Sequence, residues 1–245
     1  MIKIENVVLP NAEQWEAIIR GMRNPLNSWD KSDSNWYYVK DASEIPNNYI
    51  QIEHIVPDNM RYLLGTNDLD LMKRLNKAGT EHRKFMRMIP IYIDITAPLY
   101  WWKEFDTYKI GTVANSCSTM HKIHAKEFTL NDFSTEHLID EKDGWIEDIC
   151  GQKWCSSKTH METTIKTLNA YRDQYIKTKD KKYWWQMIQL LPSSYNQKRT
   201  IMLNYEVLSS MYHQRKNHKL DEWREFCEWI KTLPCSKLIT GEEDE

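Results

Sequence analysis

The chain has 245 residues, which suits one domain at the upper end of the usual size range, and at that length folding hides about 70–75% of the surface of the extended chain. Its 33 Lys and Arg against 35 Asp and Glu leave a formal charge of −2, too balanced for a protein that lives on phosphate-backbone contacts, so no nucleic-acid partner is expected. The seven glycines never stand closer than seven positions apart, so neither G-x-G-x-x-G nor G-x-x-x-x-G-K-[ST] can be written, which excludes the standard dinucleotide fingerprint and the P-loop.

Residues 1–9 alternate weakly through Ile2, Ile4, Val7 and Val8 and predict an edge strand. Residues 24–36 are rich in Asn, Ser, Asp and Pro and predict a loop. The alternation from Tyr49 to Ile55 predicts a half-buried strand. Thr66 stands as a helix N-cap, Leu69, Met72, Leu75 and Ala78 recur every three residues, and Gly79 supplies a stop, so 67–78 reads as a helix. Ile89 to Ile95 is the strongest strand signal, and Pro98 opens a helix through about Lys109. Residues 110–143 lack periodicity. A long helix is expected from about Trp145 to Thr178, another over 180–190, and a short strand from Lys198 to Leu203. Helices over 205–216 and 220–233 follow, the second with Leu220, Trp223, Cys227, Ile230 and Leu233 on one stripe. The order predicts one helix-rich, mixed α+β domain over 1–235 with an acidic disordered tail over 236–245.

Eleven Trp and thirteen Tyr in a chain of mean hydropathy −0.70 suggest aromatic packing with flat-ligand or subunit contacts. The five cysteines lack regular spacing and read as free thiols of a reducing cytosol. The opening Met-Ile-Lys-Ile-Glu-Asn does not read as a signal peptide, and the fifteen-residue apolar run Met88 to Trp102 carries Asp94 and Pro98 and is too short to span a bilayer. A cytoplasmic protein with no membrane contact is the expectation. Cys117, His121 and His124 have spacing that can ligate a metal, but no fourth ligand is apparent, so no metal is expected. Arg215, Lys216 and Lys219 near a helix end read either as a solvated face or as an anion site. Residues 79–84, with His82 between a helix and a strand, read either as an exposed turn or as one wall of a cleft.

Taken in order, these segments resemble the flavin-dependent thymidylate synthase family. The resemblance rests on Gly79 and His82, the strand Ile89 to Ile95 and Ala97-Pro98, then on Leu191-Pro192, Asn204, Arg215, His218 and Trp223, covering about 66–125 and 185–233. The family signature R-H-R-x-x-S-x-N-x-x-S-x-R is altered. Thr107, Tyr108 and Lys109 stand at R-H-R; with one insertion, Thr112, Asn115 and Ser118 fall on Ser, Asn and Ser, and Met120 on the final Arg. Glu206 stands where the family has an arginine, while His121 and Lys122 are available to replace lost charge.

The resemblance implies an α/β fold, a homotetramer, and transfer of a one-carbon unit from methylenetetrahydrofolate to C5 of dUMP, with FAD recharged by NADPH. Within it, His82, Lys109, Asn115 and Asn204 are the expected cofactor-binding residues. Glu104, Ser118 and Arg215 are the expected nucleotide-binding ones, with Arg215 on the phosphate and Glu104 at the base. The expected activity is dUMP methylation or a closely related C5 modification. The alternative is a non-catalytic nucleotide- or partner-binding protein on the same fold.

Overall fold

The computed structural model describes residues 2–39, 45, 49–51, 60–140 and 145–241. The elements in chain order are β1 (Lys3–Val8), α1 (Ala12–Arg23), β2 (Asn35–Tyr38), β3 (Ile50–Gln51), β4 (Met60–Leu64), α2 (Thr66–Lys77), β5 (Pro90–Pro98), α3 (Leu99–Phe105), β6 (Val113–Ser116), β7 (Ile146–Glu147), β8 (Lys153–Trp154), α4 (Ser157–Thr178), α5 (Lys181–Leu190), β9 (Asn196–Asn204), α6 (Tyr205–Arg215), α7 (Asp221–Lys231) and α8 (Lys237–Thr240). The architecture is mixed α+β and rich in helix. A four-stranded sheet has the order β1-β5-β9-β6, a three-stranded one β2-β4-β3, and β7 with β8 forms a hairpin.

The chain gathers into two compact units, and the division passes through β5 and β9. The first comprises Met1–Lys3, Ile95–Thr107 and Asn115–Arg199. Its core joins Ile123, Phe128 and Phe133 to Met161, Ile165 and Leu168 of α4 and Met187 of α5. Trp101, Trp102 and Phe105 of α3 are buried beside one another, with ring centroids 4.8–5.3 Å apart. Ser156 caps α4 by accepting from the Thr159 N–H at 3.2 Å, and Asp180 caps α5 by accepting from the Lys182 N–H at 3.0 Å.

Two expectations change in this unit. The helix predicted from Trp145 begins only at Ser157, because 145–154 form the β7–β8 hairpin. Asp148 closes its turn, accepting from the N–H groups of Cys150 and Gln152 and from the Trp154 indole. The helix predicted to reach Lys109 stops at Phe105, since the Glu104 carbonyl accepts from both the N–H and the hydroxyl of Thr107.

The second unit comprises Ile4–Asp94, Tyr108–Ala114 and Thr200–Glu245. Asn11 and Gln14 make a reciprocal capping box at α1, whose inward face carries Trp15, Ile18, Ile19 and Met22. Helix α6 packs against α7 and α8, with Tyr205, Leu208, Met211, Trp223, Phe226 and Ile230 fully buried. The stripe read on α7 is accordingly inward. Residues 237–240, expected in a disordered tail, form α8 instead: Leu238 and Ile239 are buried, and their carbonyls accept from Asn76 Nδ2 and Ser209 Oγ. Of the strand expected over 49–55, β3 occupies Ile50–Gln51, and 52–55 lie outside the described residues.

Helix α2 begins where its periodicity predicts, but Thr66 is not its cap. Asp33, far back in the chain, accepts from the N–H groups of Asn67 and Asp68 at 2.9 and 3.1 Å. Gly65 makes that approach feasible, since a Cβ there would stand 2.2 Å from the Asp33 carboxyl carbon. One turn on, Asp68 is fully buried and accepts from Arg23 Nε at 2.5 Å, Ser32 Oγ at 2.7 Å, and both Ser34 groups. Burial pushes the Asp68 carboxyl up, but the bonds from Ser34, Ser32 and Arg23 outweigh it and hold the group below the usual carboxylate range.

Asp68→Asn leaves the buried Arg23 charge uncompensated and is expected to cost about 3–5 kcal/mol in urea unfolding at pH 7. Because the folded carboxyl titrates lower than the unfolded one, its contribution is complete above the ordinary value of about 3.9 and fades as pH falls through the lower folded value. The Asn variant therefore loses that share of the acid limb, and a cost under about 1 kcal/mol would show that the pair is not a keystone.

Candidate functional site

Among the nucleotide- and cofactor-binding expectations, His82, Lys109, Asn204 and Arg215 belong to the second unit, and Glu104, Asn115 and Ser118 to the first.

In the second unit, Arg215 closes α6 and meets Tyr108. Arg215 Nε donates to the Tyr108 hydroxyl at 2.9 Å, and that hydroxyl donates to Gln214 Oε1 at 3.1 Å. The guanidinium lies 4.9 Å from the centroid of the Trp223 ring and 5.6 Å from that of Tyr108, within cation–π range of both. The two rings meet edge to face at 6.0 Å, and His218 approaches Trp223 at 6.4 Å. A half-exposed cation thus sits against two aromatic walls, a setting that orients its planar fork. Tyr108 was read only as a departure from a signature; here it positions the arginine. No local pattern announces that, since the two residues are more than a hundred positions apart.

The loop after Tyr108 is tied down at both ends of a tight turn. Thr112 Oγ1 donates to the Tyr108 carbonyl, and Gly111 has φ +81°. A Cβ at Gly111 would stand 2.8 Å from Asn204 Nδ2. Asn204 Oδ1 meanwhile accepts from the Val207 N–H at 3.1 Å and caps α6. Asn204 is therefore a capping residue that seats the loop. Lys109 and Ile110, carried outward by the same loop, are exposed.

His82 is exposed on the turn after Gly79, with its N–H bonded to the Gly79 carbonyl. Its neighbour Arg83 faces Glu206 on the first turn of α6. Nε lies 2.9 Å from Oε2, and Nη2 donates to Oε1 at 3.1 Å, while Nη1 reaches Asn76 Oδ1. The carboxylate that stands in place of an expected arginine is thus neutralised within the unit.

In the first unit, Glu104 is half-buried on the last turn of α3. Asn115 is exposed on β6. Ser118 is exposed, and its Oγ accepts from the His121 N–H at 2.9 Å. Arg199 is a structured cation. It stacks 4.2 Å from the Trp102 ring centroid and donates to Gln197 Oε1 at 3.0 Å and Asp106 Oδ1 at 2.6 Å. Among the described residues, no group of three His, Cys, Asp or Glu is placed to hold a metal ion, and no helix is long and apolar enough to cross a membrane. All five cysteines are free thiols.

No family model and no curated protein matches the chain by sequence. Its fold is similar to that of the flavin-dependent thymidylate synthase ThyX from Helicobacter pylori complexed with FAD and dUMP, with TM-score 0.56 and 12% identity over 97% of this chain and 95% of that one. It is also similar to the UMP/dUMP methylase PolB from Streptomyces cacaoi bound with 5-Br UMP, with TM-score 0.57 and 11% identity over 98% and 95%. The same methylase bound with 5-Br dUMP gives TM-score 0.54 and 13% identity over 98% and 95%.

The Gly111–Asn204 contact makes a double-mutant prediction. Gly111→Ala forces a side chain into a positive-φ position and into the capping amide, so a loss of about 1–3 kcal/mol is expected. Asn204→Ala removes the cap at about 1 kcal/mol, and the double variant costs less than the sum because the clash is gone. Strict additivity in urea unfolding would mean that the loop does not rest on Asn204.

Proposed function

We propose that the protein is a flavin-dependent methylase of a pyrimidine nucleoside monophosphate, dUMP in the first instance, with methylenetetrahydrofolate as one-carbon donor and NADPH as reductant. The observation that carries this reading is the fold likeness over nearly the whole of both chains to enzymes holding FAD and dUMP or UMP analogues. The aromatic-backed Arg215 supplies the chemistry a phosphate needs: a planar, permanently charged donor fork held in one orientation. In this reading Arg215 binds the phosphate, Ser118 offers a hydroxyl to the nucleotide, and Glu104 faces the base, where an ionised carboxylate only accepts hydrogen bonds. A homotetramer in the cytoplasm belongs to the same reading.

The residues expected at the cofactor fit it in part. His82, Lys109 and Asn115 are exposed, and their side chains form no hydrogen bond or ion pair among the described residues, so they are available to a phosphate-bearing cofactor. Asn204 spends its oxygen on the cap of α6, which leaves its amide Nδ2 as the donor it can offer. FAD, when bound, supplies the hydride; the protein's share is to hold the nucleotide and cofactor and to keep Arg215 aimed.

A second reading, a nucleotide-binding protein without turnover, draws support from the Arg83–Glu206 pair. A carboxylate neutralised by its own chain supplies no attraction for cofactor phosphates where an arginine would.

A visible spectrum of the protein after incubation with FAD and desalting separates the two. A retained flavin band that bleaches with NADPH supports the methylase; a colourless protein that still binds dUMP supports the binding protein; binding of neither overturns both. Arg215→Ala is expected to weaken dUMP binding by about 1.5–3 kcal/mol in calorimetry, with Arg215→Lys recovering only part of it. An unchanged dissociation constant in the Ala variant removes Arg215 from the site.

A further inference from the structure

The turn that carries Ser118 is held from behind by a chain of side chains that starts at the exposed carboxylate of Asp106, and every member of the chain belongs to the first unit. Both backbone groups of Cys117, the residue before Ser118, are engaged. Its N–H donates to the Lys198 carbonyl at 2.9 Å, and its carbonyl accepts from Gln197 Nε2 at 2.9 Å. Gln197 is buried, and its own carbonyl accepts from the Trp102 indole at 2.9 Å. Its side-chain oxygen accepts from Arg199 Nε at 3.0 Å. The guanidinium in turn stands 4.2 Å from the Trp102 ring centroid and donates through Nη1 to Asp106 Oδ1 at 2.6 Å.

A side-chain amide has two ends of nearly equal shape, and its partners decide which way it points. Arg199 carries donors and no acceptor, so Gln197 turns its oxygen to the guanidinium and its NH2 to Cys117. Arg199 itself has little freedom: 14% of its side chain is exposed, the Trp102 ring stands against it, and Asp106 takes one of its donors. A buried glutamine bonded at both ends has already lost its rotamer freedom, so what it holds is held in one place. The group it holds is the peptide that joins Cys117 to Ser118. Ser118 is exposed beyond that peptide, and its Oγ accepts from the His121 N–H at 2.9 Å. Its hydroxyl hydrogen has no acceptor among the described residues and remains to donate outward.

We propose that Gln197, oriented by Arg199, is a positioning residue that fixes the Ser118 hydroxyl for a hydrogen bond to the nucleoside monophosphate. The inference rests on the reading of Ser118 given above and adds to it what keeps the serine in place. Gln197 and Arg199 act through the peptide group between Cys117 and Ser118, not on the nucleotide itself. A serine on an unpinned turn spends part of its binding energy on ordering that turn, so pinning the turn beforehand shows as affinity.

The test is a double-mutant cycle on the full chain, read by calorimetric titration with dUMP. It compares wild type with Ser118→Ala, Gln197→Leu and the two together, each checked by urea unfolding for an intact fold. Ser118→Ala is expected to weaken binding by about tenfold and Gln197→Leu by about fivefold. The double variant is expected to bind as Ser118→Ala does, because Gln197 then has no hydroxyl left to position. A merely structural role would lower affinity as much in the Ala background as in the wild-type one. Gln197→Glu keeps the acceptor for Arg199 and loses only the donor to Cys117; it serves if the Leu variant unfolds, with the same loss expected. The proposal is overturned, with the Ser118 reading left standing, if the Gln197 variants bind dUMP as tightly as wild type or if the two losses multiply in the double variant. If wild type does not bind dUMP, or Ser118→Ala binds it as wild type does, the nucleotide reading of Ser118 itself fails and the proposal falls with it.

Discussion

A carboxylate with no exposed surface is stable only if its surroundings supply what water did. Asp68 meets that condition by gathering an arginine from the end of one helix and two serines from the following loop. The arrangement binds three stretches of the second unit that have little else in common: the close of α1, the irregular 28–34 segment, and the first turn of α2. Asp33, between the two serines, continues the theme by capping α2 across the Gly65 gap. With its N-terminus fixed by two acids from inside, α2 turns its polar face outward as a consequence of geometry, not as a separate specification.

The elements that were legible from the chain are those whose signal is local. The three-residue recurrence of Leu69, Met72 and Leu75 and the β-branched run from Ile89 each report their own burial, and both elements stand where they were expected. The misreadings share a cause of the opposite kind. Ile146 and Ile149 have helical spacing, yet Ile149 is fully exposed, because a single aspartate with three donors to satisfy turns the chain back on itself. Residues 237–240 look like the start of a polar tail until Asn76 and Ser209 claim their carbonyls. Capping of α2 by Asp33 belongs with these: its donors and its acceptor stand more than thirty positions apart.

The candidate site divides in the same way. Arg215 and Asn204 both enter through the resemblance. Arg215 is half-exposed against two aromatic rings, a setting that suits an anion, and Asn204 uses its side-chain oxygen to cap α6. Nothing local to Tyr108 announces its part, although its hydroxyl relays between Arg215 and Gln214 and its ring forms one wall of the arginine's seat. The hydroxyl and ring of Tyr108 together give the Arg215 guanidinium a rigid aromatic support.

The ion pair between Arg83 and Glu206 limits which single substitutions the second unit tolerates. Changing Glu206 alone to arginine would set two guanidinium groups within about 3 Å of each other in a part-buried setting, where like charges repel strongly. Changing Arg83 alone would strand the carboxylate. Neither half of the pair is open to replacement without a change in the other. A change at one position selects for a compensating change at the other, so the pair is kept or replaced as a unit.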